Sequence, residues 1–347
     1  MLCGSGSLAL EMALRACEVE PGDEVVLPTF CCTAVVTPVL AVGAKPVLAD
    51  VGEQLNMTAA TAEAVLTKKT KAIIVPHLFG NPAEIDAIVE LGHVENIRVV
   101  DDAAQALGAT VDGQAVGSFG DAGVLSFGAE KVCFGLGGGA LVSRRKEALD
   151  GIAQIELSKP KRVPTIDKFL STLTWRRWRR WTLPLRCVFG ERPAEPDSRP
   201  TPYRREAMSN LAAAVASSMM QTLRANISAR RRRAQAYREL LGNCPSIELV
   251  SHRTGSACLA QVIRVAPRSL GEDLATRLIG TLGAAGYEVQ GSYVPIHLLA
   301  QFDRCVWDRL PHAERLWGDL VELPCEPDMS LNDLEQIAAI VRKTAGE

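Results

Sequence analysis

The chain predicts an α/β fold, a mostly parallel central sheet with helices on both faces, followed by a smaller C-terminal α+β domain. Three observations carry this. Short β-rich runs recur early in the chain: EVVLP from Glu24, KPVLAD from Lys45, AIIVP from Ala72, RVVD from Arg98, GVLSF from Gly123 and GALVS from Gly139. Several are separated by helical stretches, and strand–helix alternation makes parallel sheets with both faces covered. From Ser246 the pattern changes to IELVS, CLAQVIRVAP and the helical SLGEDLATRLIGTLGAAG, an arrangement of α+β type.

In chain order, the small residues Cys3-Gly4-Ser5-Gly6-Ser7 run straight into LALEMALRACEV, an apolar-periodic helix. Backbone N–H groups at such a helix start, helped by the helix dipole, form an anion site to which Ser5 and Ser7 add hydroxyls; a flexible turn is the plain alternative. The strand from Arg98 ends in Asp101 and Asp102, and the strand from Gly123 ends in Ser126 and is followed by Lys131. Carboxylate and amine therefore leave the same edge of the sheet, where open α/β sheets bind ligands. Asp112-Gly113 reads as a tight hairpin turn. Gly135 and Gly137 to Gly139 read as a turn back into the sheet rather than a phosphate loop.

The pattern divides the chain into a large domain at 1–155, a Pro-, Arg- and Trp-rich insertion at 156–205, and a long helix with a small domain at 206–347. Within the insertion, Trp175, Trp178 and Trp181 share one face of a helix at ~100° per residue and the arginines between them the other. That face has three readings: peripheral contact with an anionic membrane surface, a hold on a nucleotide diphosphate, or a cap on an apolar neighbour. One long helix is expected from Met208 to Leu241, with Arg230 to Arg233 as a solvated face. Gly286 reads as a helix C-cap, and the last helix as Leu331 to Ala345.

Composition sets limits. With 347 residues, 47% hydrophobic and a formal charge of −2, the chain can bury large cores, and its charge balance predicts no nucleic-acid partner. No N-terminal signal pattern and no uninterrupted apolar stretch of ~18 residues is present, so the expected location is cytoplasmic. Ten cysteines without paired CxxC spacing read as buried thiols in a reducing compartment, and no metal site is expected.

The run VVDDAAQALGATVDGQAVGSFGDAGVLSFGAEK sets an acid, an amide, a hydroxyl and an amine at Asp102, Gln105, Ser126 and Lys131. Pyridoxal 5'-phosphate (PLP) needs such a set, because a lysine amine captures its aldehyde and an acid faces its pyridinium nitrogen. For Asp102 and Lys131 taken alone, a helix cap and a solvated loop lysine are the plain alternative.

Taken together, CGSGSLALEMAL, PGDEVVLPTFCCTAVVTPVLAVGAKPVLADV, IIVPHLFGNPAEID, VVDDAAQALGA, VGSFGDAGVLSFGAEK, GLGGGALVS, MSNLAAAV, YVPIHLLAQF and LPHAERLWGDLVELP resemble the DegT/DnrJ/StrS family of PLP-dependent sugar aminotransferases, of the aspartate aminotransferase fold type. The resemblance covers nearly the whole chain. It implies that Lys131 holds the cofactor covalently, that Asp102 pairs with the ring nitrogen, and that Gln105 lies near the phenolic oxygen. Gly4, Ser5, Gly6 and Ser126 would hold the phosphate. Tyr293 and His297, in the motif YVPIH, would face the substrate, although a lone histidine is also a common structural residue. Family members that dehydrate sugars carry histidine where Lys131 stands, so the lysine points to transamination.

Three departures from the family pattern stand out. Relatives carry several tens of residues before the phosphate loop, so a truncated start or a fragment is expected. Cys32 stands where an aromatic residue usually stacks on the ring, leaving Phe30 or His77 as flat neighbours. Ala207-Met208-Ser209 replaces the usual Arg-Met-Ser, which puts the phosphate contact from a neighbouring subunit in question. The expected function is transamination of a keto sugar, nucleotide-linked, with glutamate or glutamine as donor, in a homodimer serving amino-sugar, surface-polysaccharide or secondary-metabolite biosynthesis. The alternatives are an inactive or truncated PLP-binding regulator, and another PLP enzyme of the same fold such as a lyase or desulfurase.

Overall fold

A computed structural model describes residues 1–160, 170, 202–265 and 274–346. In chain order its first nine strands are β1 (Leu2–Cys3), β2 (Glu24–Pro28), β3 (Lys45–Ala49), β4 (Thr70–Pro76), β5 (Arg98–Asp102), β6 (Thr110–Val111), β7 (Gln114–Ala115), β8 (Ala122–Ser126) and β9 (Gly139–Val142). Seven of them form one sheet in the order β1-β9-β8-β5-β4-β2-β3. β2 pairs in parallel with β3 and β4, β4 with β5, and β5 with β8. The expected strands are all present.

Alternate residues of one strand enter opposite cores, as the two-residue period of a strand requires. Leu27, Ile74 and Val100 join a core with the helix Gly6–Ala16. Their neighbours Val26, Ile73 and Val99 pack on the other face with Ile85 and Ile88 of the helix Ile85–Glu95. Both faces are covered, which is why these strands read as unbroken apolar runs.

The edge beyond β8 is antiparallel: β9 returns along β8, and β1 runs antiparallel to β9 through Leu2↔Ala140 and Cys3↔Gly139. The connection from Ser126 to Gly139 contains no helix, and a parallel return needs a crossover. The glycines after Lys131 do bring the chain back into the sheet. A Cβ on Gly139 would lie 2.4 Å from the Ser5 carbonyl oxygen, so only glycine lets β9 pass the start of the chain. Asp112-Gly113 turns β6 into β7 as expected.

A second sheet, antiparallel and in the order β10-β11-β13-β12, comprises β10 (Ile247–Leu249), β11 (Ala260–Val265), β12 (Gln290–Gly291) and β13 (Leu320–Pro324). Ile263, Val265, Val321 and Leu323 face a core shared with Tyr237, Leu278 and Ile337 from three helices. Val262 and Leu320, on the opposite face, join the core of the large sheet. The last helix is Leu331–Ala345, as read, and Gly286 has the positive φ of a helix end. Of the cysteines, nine lie among the described residues, and all nine are free thiols.

Two expectations are corrected. The stretch 208–241 is not one helix but two, Asn210–Gln221 and Leu223–Leu241. At the break, both the hydroxyl and the N–H of Thr222 donate to the Met219 carbonyl, at 3.1 and 3.2 Å, a tightened last turn that ends the first helix. Arg230 to Arg233 are not a solvated face either. Four consecutive residues cover more than a helical turn, so they cannot all point to water. Arg230 is buried and bonds Asn226 Oδ1 at 2.8 Å and the Leu259 carbonyl at 3.0 Å. Arg231 reaches the carbonyls of Ser256 and Gly255, and Arg233 those of Pro327 and Met329. Only Arg232 is exposed without a bond among the described residues. Trp175, Trp178 and Trp181 lie outside the described residues.

Arg230→Met is expected to destabilise the protein by about 1–3 kcal/mol, because it strips a charged donor from a buried carbonyl. Arg232→Met should change stability by no more than about 0.5 kcal/mol, as exposed substitutions do. Urea midpoints of the two variants check the contrast.

Candidate active site

Beyond the carboxyl ends of β4, β5 and β8 lies a cavity of about 200 Å³, lined by Ser5, Gly6, Ser7, Cys32, Pro76, His77, Asp102, Gln105, Ser126 and Lys131 among others. The structure thus brings together seven of the residues expected from sequence: Ser5, Gly6, Cys32, Asp102, Gln105, Ser126 and Lys131. Gly4, Phe30, Tyr293 and His297 are not in this wall.

Ser5 is extended and caps the helix Gly6–Ala16, its hydroxyl accepting the Leu8 N–H at 3.1 Å. The first N–H groups of a helix have no partner within it, so those of Gly6 and Ser7 are available at the cavity. Gly6 must be glycine here: a Cβ would lie 2.9 Å from Ser126 Cβ and Oγ. The helix start and the Ser126 hydroxyl therefore close on one small space. Gly4 does not share it. Its N–H donates to the Glu206 carbonyl at 2.8 Å and its carbonyl accepts the Gly138 N–H at 3.0 Å, so its peptide groups are spent on the backbone.

The two adjacent acids differ in satisfaction. Asp101 is fully buried; Oδ1 lies 2.7 Å from His77 Nε2, and Oδ2 accepts the N–H groups of Gly117 at 2.7 Å and Phe119 at 2.9 Å. Asp102 accepts one N–H, from Ala104 at 3.0 Å, and has no ion-pair partner among the described residues. Burial pushes its carboxyl above the usual range, while the Ala104 N–H and then the charge of Lys131 pull the other way. A desolvated acid in a cavity wall, lacking a cation in contact, suits a cationic ring nitrogen. Lys131 is half-buried on the loop after β8, its N–H bonded to the Gly128 carbonyl at 3.4 Å. Among the described residues its amine makes neither hydrogen bond nor ion pair.

Of the two flat side chains expected as alternatives, Phe30 does not line the cavity and His77 does. Its Nδ1 accepts the Ala83 N–H at 2.9 Å, so Nε2 carries the hydrogen and donates to Asp101, and the ring is fixed in the cavity wall. Phe30 sits behind that wall, in a cluster with Phe79 and Tyr293 at centroid distances of 6.4 and 6.0 Å. Gln105 is engaged on both sides: its Oε1 accepts the Phe79 N–H at 2.9 Å and one hydrogen of its Nε2 goes to Tyr293 Oη at 2.7 Å. Tyr293 therefore stands one bond behind the wall. His297 is a fastening: Nδ1 pairs with Thr29 Oγ1 at 2.8 Å and Nε2 with Glu314 Oε1 at 3.2 Å. The histidine at the site is His77, whose only signal in the sequence is its place in the PHLFG run after an apolar strand.

The sequence matches the DegT/DnrJ/EryC1/StrS aminotransferase family over residues 1–342. The chain belongs to that family. Among its relatives, the UDP-N-acetyl-3-dehydro-alpha-D-glucosamine 3-aminotransferase of Acidithiobacillus ferrooxidans is 49% identical over 141 residues, 40% of this chain and 38% of that protein. The chain thus spans about two fifths of that relative in the match. The GDP-perosamine synthase of Caulobacter vibrioides is 29% identical over 97% of this chain and 83% of its own length. Among solved structures, the aminotransferase TlmJ from Streptoalloteichus hindustanus superposes with a TM-score of 0.79 at 27% identity, covering 99% of this chain and 85% of that one.

In this aminotransferase-family protein the acids should respond oppositely to neutralisation. Asp101→Asn leaves buried donors without their acceptor and is expected to destabilise by about 1–3 kcal/mol. For Asp102 the folded pKa is raised, so the stability it contributes is present at low pH and lost as pH rises through that raised value. Asp102→Asn should therefore leave the ligand-free protein as stable or more stable at pH 8, with the difference closing as pH falls toward 4. Thermal melts of both variants across this range check it.

Proposed function

We propose that this protein is a PLP-dependent aminotransferase that transfers an amino group from glutamate or glutamine to a nucleotide-linked keto sugar. One observation carries the reading: an unpaired lysine amine, a desolvated carboxyl and a helix start closed by Gly6 against Ser126 border a single cavity. The names of the two relatives above, one a UDP-sugar aminotransferase and one a perosamine synthase, support a sugar acceptor.

The residues present fit PLP. The N–H groups of Gly6 and Ser7 and the Ser126 hydroxyl would take the phosphate, Asp102 the ring nitrogen, and Lys131 the aldehyde carbon, with Cys32 and His77 at the ring. When bound, the cofactor supplies an electron sink for the carbon that loses its proton. Asp102 would keep a proton on the ring nitrogen, and its low-dielectric setting would strengthen that charge-assisted bond. Lys131, free of ion pairs among the described residues, would be able to hold the cofactor and move a proton at the substrate carbon. His77 holds its ring still through Asp101 and Ala83 and takes no part in proton transfer, since both nitrogens are engaged. A homodimer and a cytoplasmic location belong to this reading.

Borohydride reduction of the PLP-loaded protein followed by peptide mapping should place the pyridoxyl label on Lys131, and Lys131→Ala should remove both label and turnover. A label on Lys71 or Lys159 sinks the assignment. Asp102→Asn should retain PLP while slowing the half-reaction with L-glutamate about 10–100-fold, the equivalent of roughly 1.5–3 kcal/mol. Stopped-flow absorbance measures this; an unchanged rate would assign the role to another group.

A further inference from the structure

The small sheet turns one face to its own helices and the other to the large core, and the register puts an acid in the middle of the second face. Glu322 of β13 lies opposite Val262 of β11 on one side and Gln290 of β12 on the other. Val262 belongs to the large core, so the carboxyl of Glu322 points away from the small domain's helices. Arg264, on the same face two residues along β11, does not neutralise it: its guanidinium goes to Glu53 at 3.4 Å and Glu248 at 3.1 Å. Glu322 Oε2 accepts from Gln290 Nε2 at 3.0 Å. Among the described residues, its Oε1 and the hydroxyl of Ser292, two residues beyond Gln290, are buried and make no well-formed hydrogen bond, although Ser292 lies close enough to pull on Glu322. Buried polar atoms are nearly always paired, so a carboxyl oxygen and a hydroxyl that lie side by side without a well-formed bond keep hydrogen-bonding capacity for a further group.

The surroundings tie this niche to the candidate active site. From the large domain, the charged groups that act on Glu322 are Glu130 and Lys131. Glu322 in turn acts on Tyr293, whose hydroxyl holds Gln105 in the cavity wall. Burial pushes the carboxyl of Glu322 up to about 7, against the pull of Gln290 and Ser292. An acid kept in this state costs stability, which proteins accept where function requires it.

The geometry points to Glu322, with Ser292, as the residues through which the small sheet holds the acceptor sugar: the free carboxyl oxygen accepts a hydrogen bond from a sugar hydroxyl and the Ser292 hydroxyl shares the same group, turning the keto carbon toward Lys131. This inference rests on the reading proposed above and adds the substrate-side contact to it. A carboxyl, an amide and a hydroxyl on one sheet face suit a polyol better than the carboxylate of an amino donor, which a buried acid repels.

The half-reactions separate the possibilities. PLP-loaded wild type, Glu322→Gln and Ser292→Ala are each mixed with L-glutamate, and the donor-loaded forms then with UDP-N-acetyl-3-dehydroglucosamine or GDP-4-keto-6-deoxymannose. Glu322→Gln is expected to keep the glutamate rate within about twofold and to lose about 10–100-fold in kcat/KM for the sugar, mostly through KM, with a smaller loss for Ser292→Ala. Because the folded pKa of Glu322 is raised, its contribution to stability is present below about 4.5 and lost as pH rises through about 7. Glu322→Gln should accordingly raise the melting temperature at pH 8 and change it less at pH 5. A melting temperature that falls at pH 8, equal losses in both half-reactions, or no loss in either overturns the inference. So does a wild type that reacts with glutamate and takes neither sugar, an outcome that leaves the donor reading standing. A wild type inert to glutamate instead removes the functional reading, and the inference with it.

Discussion

The buried pair of Asp101 and His77 is the interaction on which the rest of the site depends. Asp101 is the last residue but one of β5, His77 follows β4, and their 2.7 Å contact joins these two neighbouring strands where the cavity begins. The same carboxylate takes two N–H groups from the turn that leads into β8, and the same imidazole takes one from Ala83. Four backbone segments are thus fixed by two side chains. Because both carboxylate oxygens and both imidazole nitrogens are bonded, the pair can sit in the core without the penalty of an orphaned charge. Asp102, one residue on, points the other way and is left to the cavity.

Much of this was legible because the signals are local. Strand runs, the hairpin at Asp112-Gly113, the last helix and the grouping of Asp102, Ser126 and Lys131 follow from two-residue and 3.6-residue periods and from the rule that α/β sheets bind ligands at their carboxyl edge. What was not legible depends on partners distant in sequence. Nothing near Gly4 tells that Glu206 takes its N–H, and nothing near His297 tells that Thr29 and Glu314 take its ring. The arginines from 230 to 233 read as a solvated run because the carbonyls they hold come from loops after Arg253 and Cys325. The direction of β9 was hidden because a strand pattern carries no orientation.

The helix Gly6–Ala16 shows how an element is placed by satisfaction at its start and at its middle. Its start is capped by Ser5 and pressed against Ser126. Further along, buried Glu11 receives the Tyr203 hydroxyl at 2.9 Å and the guanidinium groups of Arg205 at 2.5 Å and Arg15 at 2.9 Å. The segment 203–207 is thereby drawn across the chain start, where the Glu206 carbonyl accepts the Gly4 N–H. The anion-binding end of this helix is therefore braced by residues that lie far from it in sequence, through ordinary hydrogen bonds rather than through apolar packing alone.

Gln105 links the two sheets at one point. Its amide is shared between Phe79 of the large sheet's layer and Tyr293 of the segment that follows β12. A rotation of the small sheet away from the cavity has to break the 2.7 Å bond to Tyr293, along with backbone bonds such as that from the Leu259 N–H to the Phe79 carbonyl at 2.9 Å. Opening of the cleft and release of the Gln105 amide are then a single event, and a group that enters and takes that amide hydrogen acts as a key to the door as well as an occupant of the room.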